Sequence, residues 1–355
     1  MPPISAIPHP LPSAVGSQRS KASKSSSRTP SRWYGVLLAA GLGLVAWWLG
    51  DRFPLIGGPV FGILLGMVWR NVLGLSPVFG PGVVFSSRQV LKWSIIGLGF
   101  GLSFGQVLHT GASSLAVTAI TLTTAFVSAW LLGRWMKLGG HLCTLIGVGT
   151  AICGGSAIAA VAPIIKPDDH ETALSISTIF LFNVIAVLLF PPLGHWMGMS
   201  DHGFGLWAGT AINDTSSVVA AGYSYSVAAG DIATIVKLTR ATLIIPVCII
   251  IALWVAWHNQ HSETKVSLAK IFPWFILWFL VASGIRSLDL IPSALIGPLH
   301  IGSQFLIVMA LTAIGLSSDL RRMALAGARP ILLGLGVWAA VSLSSLAVQL
   351  AMGSL

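Results

Sequence analysis

The stretch GTAICGGSAIAA at residues 149–160 returns sixty residues later as GTAINDTSSVVA at 209–220. The shared offset aligns Gly149 with Gly209, Ile152 with Ile212, Ser156 with Ser216, and Glu171 with Asp231. Each copy is a cluster of Gly, Thr and Ser inside a long apolar run. Glycine lets a helix unwind at little steric cost. If lipid surrounds the run, the freed backbone groups must face protein or a water-filled cavity. The helix that restarts after CGGS or NDTSS offers unpaired N–H groups and the positive end of a dipole, which suits an anion. The plainer role of such residues is close helix packing. Two related breaks favour the functional role.

Composition supplies the lipid. Of 355 residues, 55% are hydrophobic and 8% charged, and mean hydropathy is +0.86. Soluble domains carry charge on roughly a quarter of their residues, so this is an integral membrane protein and not a soluble enzyme with an anchor. The net charge of +10 does not signal nucleic acid, because Lys and Arg sit at the ends of apolar runs. Cys143, Cys153 and Cys248 form no CxxC pair and no cluster with His, so no disulfide framework, metal site or cofactor is expected. Residues 1–33 read as a disordered basic cytoplasmic tail, ahead of a single transmembrane domain at 34–355.

Apolar segments fall near 34–50, 54–74, 91–108, 112–133, 143–165, 172–198, 205–226, 232–257, 269–284, 300–318 and 329–352. The expected fold is an all-α polytopic membrane protein of about 9–11 transmembrane helices, with inverted repeats and two broken or re-entrant segments. WRNVLGLSP at 69–77 resembles GIRSLDLIP at 284–292, and GLS recurs at 101–103 and 315–317. Blocks 54–133 and 269–352 therefore look related. Seven segments separate their starts, so the blocks are inverted, as in secondary transporters. The motif segments 143–198 and 205–257 lie between them. If each motif dips in and returns as a hairpin, the first opens from the cytoplasm and the second from outside. With the N-terminus cytoplasmic, Arg70, Arg88, Lys92, Arg134, Lys137, Lys166, Lys265, Lys270, Arg321, Arg322 and Arg329 then lie inside, and Arg52 and Arg286 outside. Full crossing would put Lys166 outside.

Three charged residues stand out within apolar segments. Asp214 is an intramembrane carboxylate, hence a candidate for a coupling proton or sodium ion, and equally a good helix cap. Lys237 and Arg240 are spaced i and i+3 and share a helix face. They are expected to point into the protein, to neutralise an anion or pair with Asp214, although Lys237 is shallow enough to snorkel. Gly149, Thr150, Cys153, Gly154, Gly155, Ser156, Asn213, Thr215, Ser216 and Ser217 complete the substrate-binding candidates. Asn183 is a weaker one. No Ser/His/Asp order, zinc spacing or phosphate loop supports catalysis.

GTAICGGSAIAAVAPIIK, FLFNVIAVLLFPPLG at 180–194 and GTAINDTSSVVAAGYSYS together resemble the YeiH-type membrane protein family, whose members are labelled sulfate exporters. The resemblance covers roughly residues 34–352. It implies a multi-pass protein of the cell inner membrane, related in fold to inverted-repeat antiporters and anion transporters. The expected function is secondary transport, by alternating access, of a small anion such as sulfate, sulfite or a sulfonate, in the export direction. Two other readings stay open: a sodium- or proton-coupled carrier of a carboxylate or cation centred on Asp214, and a non-transporting membrane scaffold or sensor. Expected partners are membrane lipid, the anion, a coupling ion and a second copy of the chain, with no nucleic acid.

Overall fold

The computed structural model describes residues 32–53, 56–258, 272–320 and 327–354. The expected tail, apart from its last two residues, lies outside the described residues. The fold is helical, with no strand among the described residues.

Helix α1 spans Arg32–Arg52, and α2 spans Gly57–Val68 and runs on through a π-helical turn at Trp69–Leu73. Helices α3 (Gly80–Phe85) and α4 (Leu91–Gly99) are joined by a second π-helical turn at Ser86–Val90. The 91–108 segment is thereby corrected. Its helix starts at Gly80, includes the exposed Arg88 and Lys92, and stops at Gly99, because the side chain of Ser103 starts the next helix by accepting from Gln106 N at 3.2 Å. That helix, α5, covers Phe104–Trp135.

The first motif segment forms α6 (Gly140–Ala151) and α7 (Gly155–Ile165), followed by α8 (Asp169–Trp196). The second forms α9 (Asp201–Ala211) and α10 (Thr215–Tyr225). Helices α11 (Val227–Thr242) and α12 (Ile244–His258) follow almost end to end. The chain closes with α13 (Trp274–Ser287), α14 (Ser293–Ser317) and α15 (Ala328–Met352). Among the described residues, six stretches are long and apolar enough to cross a membrane: α1, α5, α8, Val227–Val255, Ala294–Ser317 and α15.

Both motif segments are hairpins, and side-chain contacts show it. His141 at the start of α6 pairs with Glu171 at the start of α8 at 3.5 Å, so α6 begins and α7 ends at the same end of the molecule. At the opposite end Ser226, just after α10, donates to Asp201 at the start of α9 at 2.6 Å. Tyr225 also stacks on His195 near the end of α8, with ring centroids 4.1 Å apart. The hairpins thus enter from opposite ends. Their limbs of 11 or 12 residues are about 16–18 Å long at 1.5 Å per residue. That is about half of a ~30 Å hydrocarbon layer, so the tips meet near its middle.

The outer blocks run in opposite senses. Asn71 at the end of α2 donates to the carbonyl of Ser318 just after α14, at 3.1 Å, while Gly97 of α4 lies against Ser303 in the first half of α14. Close approach makes this pairing possible: a Cβ on Gly66 would lie 2.3 Å from the carbonyl of Thr312. Helices α1–α4, α13 and α14 form one group, and α5–α12 with α15 form the other. They touch where α10 meets α2 and α14, and where α13 meets α5.

The hairpin geometry makes a direct prediction. With the native cysteines replaced, single cysteines at Lys166 and Ser226 should label with a membrane-impermeant reagent from opposite faces of the membrane. Labelling of both from one face would contradict two inverted hairpins.

Candidate functional site

The two tips are short non-helical breaks, a turn at Ile152–Gly154 and a bend at Ile212–Asp214. Gly154 has φ +69° and ψ −130°, a conformation that a side chain would strain. It also sits against the other tip, since a Cβ there would lie 3.4 Å from Asp214 Cβ. The repeat that the sequence displays is therefore a physical contact.

Each tip leaves free carbonyls at the end of its incoming limb, α6 or α9, where the dipole is negative. Lys237 and Arg240, one turn apart on α11, are both fully buried and supply the missing donors. Lys237 Nζ donates to the carbonyls of Ile152 at 2.7 Å and Ile212 at 2.9 Å, one from each tip. The Arg240 guanidinium donates to the carbonyls of Thr150, Ala151 and Thr210. Lys237 does not snorkel. Neither cation forms an ion pair with Asp214 among the described residues.

Asp214 caps α10. Its Oδ2 accepts from Ser216 N at 3.0 Å and from Ser216 Oγ, and its own N–H donates to Asn183 Oδ1 at 3.1 Å. Helix α7 has no side-chain cap. Its first residues, half-buried Gly155 and exposed Ser156, leave N–H groups open directly after Gly154, which sits against half-buried Asp214. Polar side chains buried nearby remain unpaired: Asn183 Nδ2, both amide atoms of Asn213, and Thr150 Oγ1.

The structure thus gathers Thr150, Gly154, Asn213, Asp214, Ser216, Lys237 and Arg240 around the crossing, with Asn183 as a bridge from α8. Cys153 is buried at the first tip and Ser217 within α10, whereas Gly149 packs against Ile158 and Ile179. The sequence aligns Asp231 with Glu171 but gives it no role, since it falls between the apolar segments 205–226 and 232–257. It lies in α11, where Tyr223 of the outgoing limb donates to its carboxylate. Its alignment with Glu171, which pairs with His141 at the other mouth, was the available signal. Beside the second mouth, a cavity of about 380 Å³ opens between the two helix groups, lined by Trp47, Asp51, Tyr223, Ser224, Tyr225 and Gln304 among others.

The family described as "Conserved hypothetical protein 698" matches residues 34–334, which includes both hairpins and all the residues of the crossing. The chain belongs to this family. It is similar to the UPF0324 membrane protein spyM18_1033 of Streptococcus pyogenes serotype M18, with 45% identity over 90% of this chain and 97% of the relative. A Streptococcus pneumoniae relative, UPF0324 membrane protein spr0034, is 43% identical over the same shares. The Streptococcus agalactiae protein SAG1125 is 42% identical, again over 90% and 97%. No solved structure matches the chain.

The bonding at the crossing sets an order of substitution effects. Arg240→Ala removes the donors of three buried carbonyls, each worth about 1–3 kcal/mol when left unpaired, and should sharply lower the yield of folded protein. Arg240→Lys should be intermediate. Asp214→Ala loses a cap worth about 1 kcal/mol and should still fold. Thermal unfolding in detergent checks the ranking, and equal melting of Arg240→Ala and wild type would refute it.

Proposed function

We propose that the protein is a secondary transporter of a small anion, which binds where the two hairpin tips meet and crosses by alternating access. The carrying observation is the pair of opposed hairpins whose tips touch at mid-depth, bound together by Lys237 and Arg240. Discontinuous elements meeting at the midplane of an inverted repeat are the usual build of a carrier site.

Charge favours an anion. The positive ends of α7 and α10 offset the negative ends of α6 and α9. Lys237 and Arg240 against Asp214 then leave one positive charge in excess when all three are ionised. A sodium site would draw on unwound carbonyls and half-helix C-termini. Five of those carbonyls, at Thr150, Ala151, Ile152, Thr210 and Ile212, are already taken by the two cations. The reading centred on a bound sodium ion is therefore the weaker one. In this proposal Lys237 and Arg240 act as buried charge and as a clamp, while the N–H groups of Gly155 and Ser156 and the Thr215 hydroxyl face the anion.

Charge supports an orientation. Arg70, Arg134, Lys137, Lys166 and Arg329 gather at the end where the first hairpin opens, and Arg52 and Arg286 at the other, a bias that favours a cytoplasmic first end. The cavity at the second mouth is then an external vestibule. An inside-negative potential favours anion export by about 2.3 kcal/mol per charge per 100 mV, so the cell inner membrane and the export direction fit this charge balance.

Efflux of labelled sulfate, sulfite and taurine from proteoliposomes tests the reading. At least one should move without sodium. Ser156→Leu fills the space at the start of α7 from an exposed position and should cut that flux at least tenfold without loss of folded protein. Unchanged flux in Ser156→Leu, or no flux of any anion in wild type, would refute the site.

A further inference from the structure

Building on the anion reading, we propose that the bound ion is a singly charged oxyanion that carries its own proton, of the hydrogen-sulfite type, and donates that O–H to Asp214 Oδ1. The donor side of the site is in excess. Asn183, 3% exposed, uses its Oδ1 on Asp214 N, yet its Nδ2 has no partner. Asn213, 1% exposed, pairs neither amide atom. Unpaired polar groups at such depth are costly, and the amide donors, with the open N–H groups of α7, call for a ligand with several acceptor oxygens.

The acceptor side is what selects among anions. Asp214 spends Oδ2 on Ser216, while Oδ1 accepts no hydrogen bond among the described residues. The half-buried carboxylate stands beside the start of α7, against Gly154. An anion made only of acceptors would meet this oxygen with repulsion. An oxyanion with an O–H turns the same contact into a charge-assisted hydrogen bond.

The surroundings agree on the charge. The titratable groups that interact with Asp214 are Lys237 on α11 and Cys153 at the first tip, with Arg240 one turn beyond Lys237, while Asp201 and His202 of α9 and Asp231 of α11 lie toward the second mouth. Helix α2 and residues 172–194 of α8 carry no charged side chain, and α14 adds only His300, which is hydrogen-bonded to Gln304 at 3.0 Å. When Lys237, Arg240 and Asp214 are all ionised, a monoanion neutralises the one positive charge in excess, whereas a dianion would leave a net negative charge at membrane depth.

The test uses the full chain in proteoliposomes, with protein-free vesicles as background. Labelled sulfite is followed from about pH 5.5 to about pH 8.5, and its flux should fall roughly tenfold per pH unit once hydrogen sulfite dissociates. Sulfate, a dianion throughout, should stay at background. Methyl sulfate, a monoanion without an O–H, should not compete with sulfite. Asp214→Asn replaces a pure acceptor by an amide and should carry sulfite and sulfate alike, without the pH dependence. Sulfate moving as fast as sulfite, or methyl sulfate competing as well as hydrogen sulfite, overturns the proposal and leaves anion transport standing. Absence of sulfite flux overturns it too, and absence of all anion flux removes both. Should Asp214→Asn fail to fold, the methyl sulfate competition on wild type decides.

Discussion

The fold turns on hydrogen bonds from two buried cations of one helix to the carbonyls that two broken helices cannot satisfy themselves. A hairpin that stops halfway across a membrane exposes backbone groups where neither water nor lipid can pair them. Lys237 reaches one carbonyl in each tip, and Arg240 spans three more. Burying such cations alone would be prohibitive, and so would leaving the tips open. Each cost is offset by the other, which explains why the most polar residues of α11 occupy its most buried positions.

From that constraint the rest of the site follows. Once the carbonyl ends of α6 and α9 are capped by side chains, the N-terminal ends of α7 and α10 are what remain available. Asp214 uses the start of α10, leaving the start of α7 open beside it. The crossing is thus asymmetric although its two halves are repeats. CGGS permits close backbone approach, with Gly154 in a conformation suited to glycine, whereas NDTSS brings a carboxylate and a cap. One copy supplies free donors and the other supplies a free acceptor.

Much of this was legible in the sequence. The eleven apolar segments follow from length and composition, and the alignment of 149–160 with 209–220 pointed to two inverted hairpins, with full crossing and plain helix packing as the alternatives that the contacts at the two mouths exclude. The boundaries near residues 80–104 were misread, since Arg88 and Lys92 resemble a loop in an apolar chain while a helix with π-helical turns carries them exposed. The partners of Lys237 and Arg240 were out of reach for a deeper reason. Their acceptors are main-chain carbonyls, which every residue has and no letter distinguishes, so a search for a paired carboxylate pointed to Asp214.

Asp231 carries the symmetry outward from the crossing. Each hairpin is followed by a helix with an acidic residue near its start, and that residue holds a side chain of the hairpin: Glu171 takes His141 of α6, and Asp231 takes Tyr223 of α10. The limb that is tied differs, incoming in the first and outgoing in the second. Each mouth is therefore tied to the helix that crosses away from it, so a hairpin and its following helix tend to move as one body. The α10 side of that body borders the cavity between the two helix groups, where Ser224 meets Gly57 of α2. Motion that opened one end and closed the other would be taken up along this border. It would leave the hydrogen bonds of Lys237 and Arg240 intact, because all of their partners lie within the same group of helices.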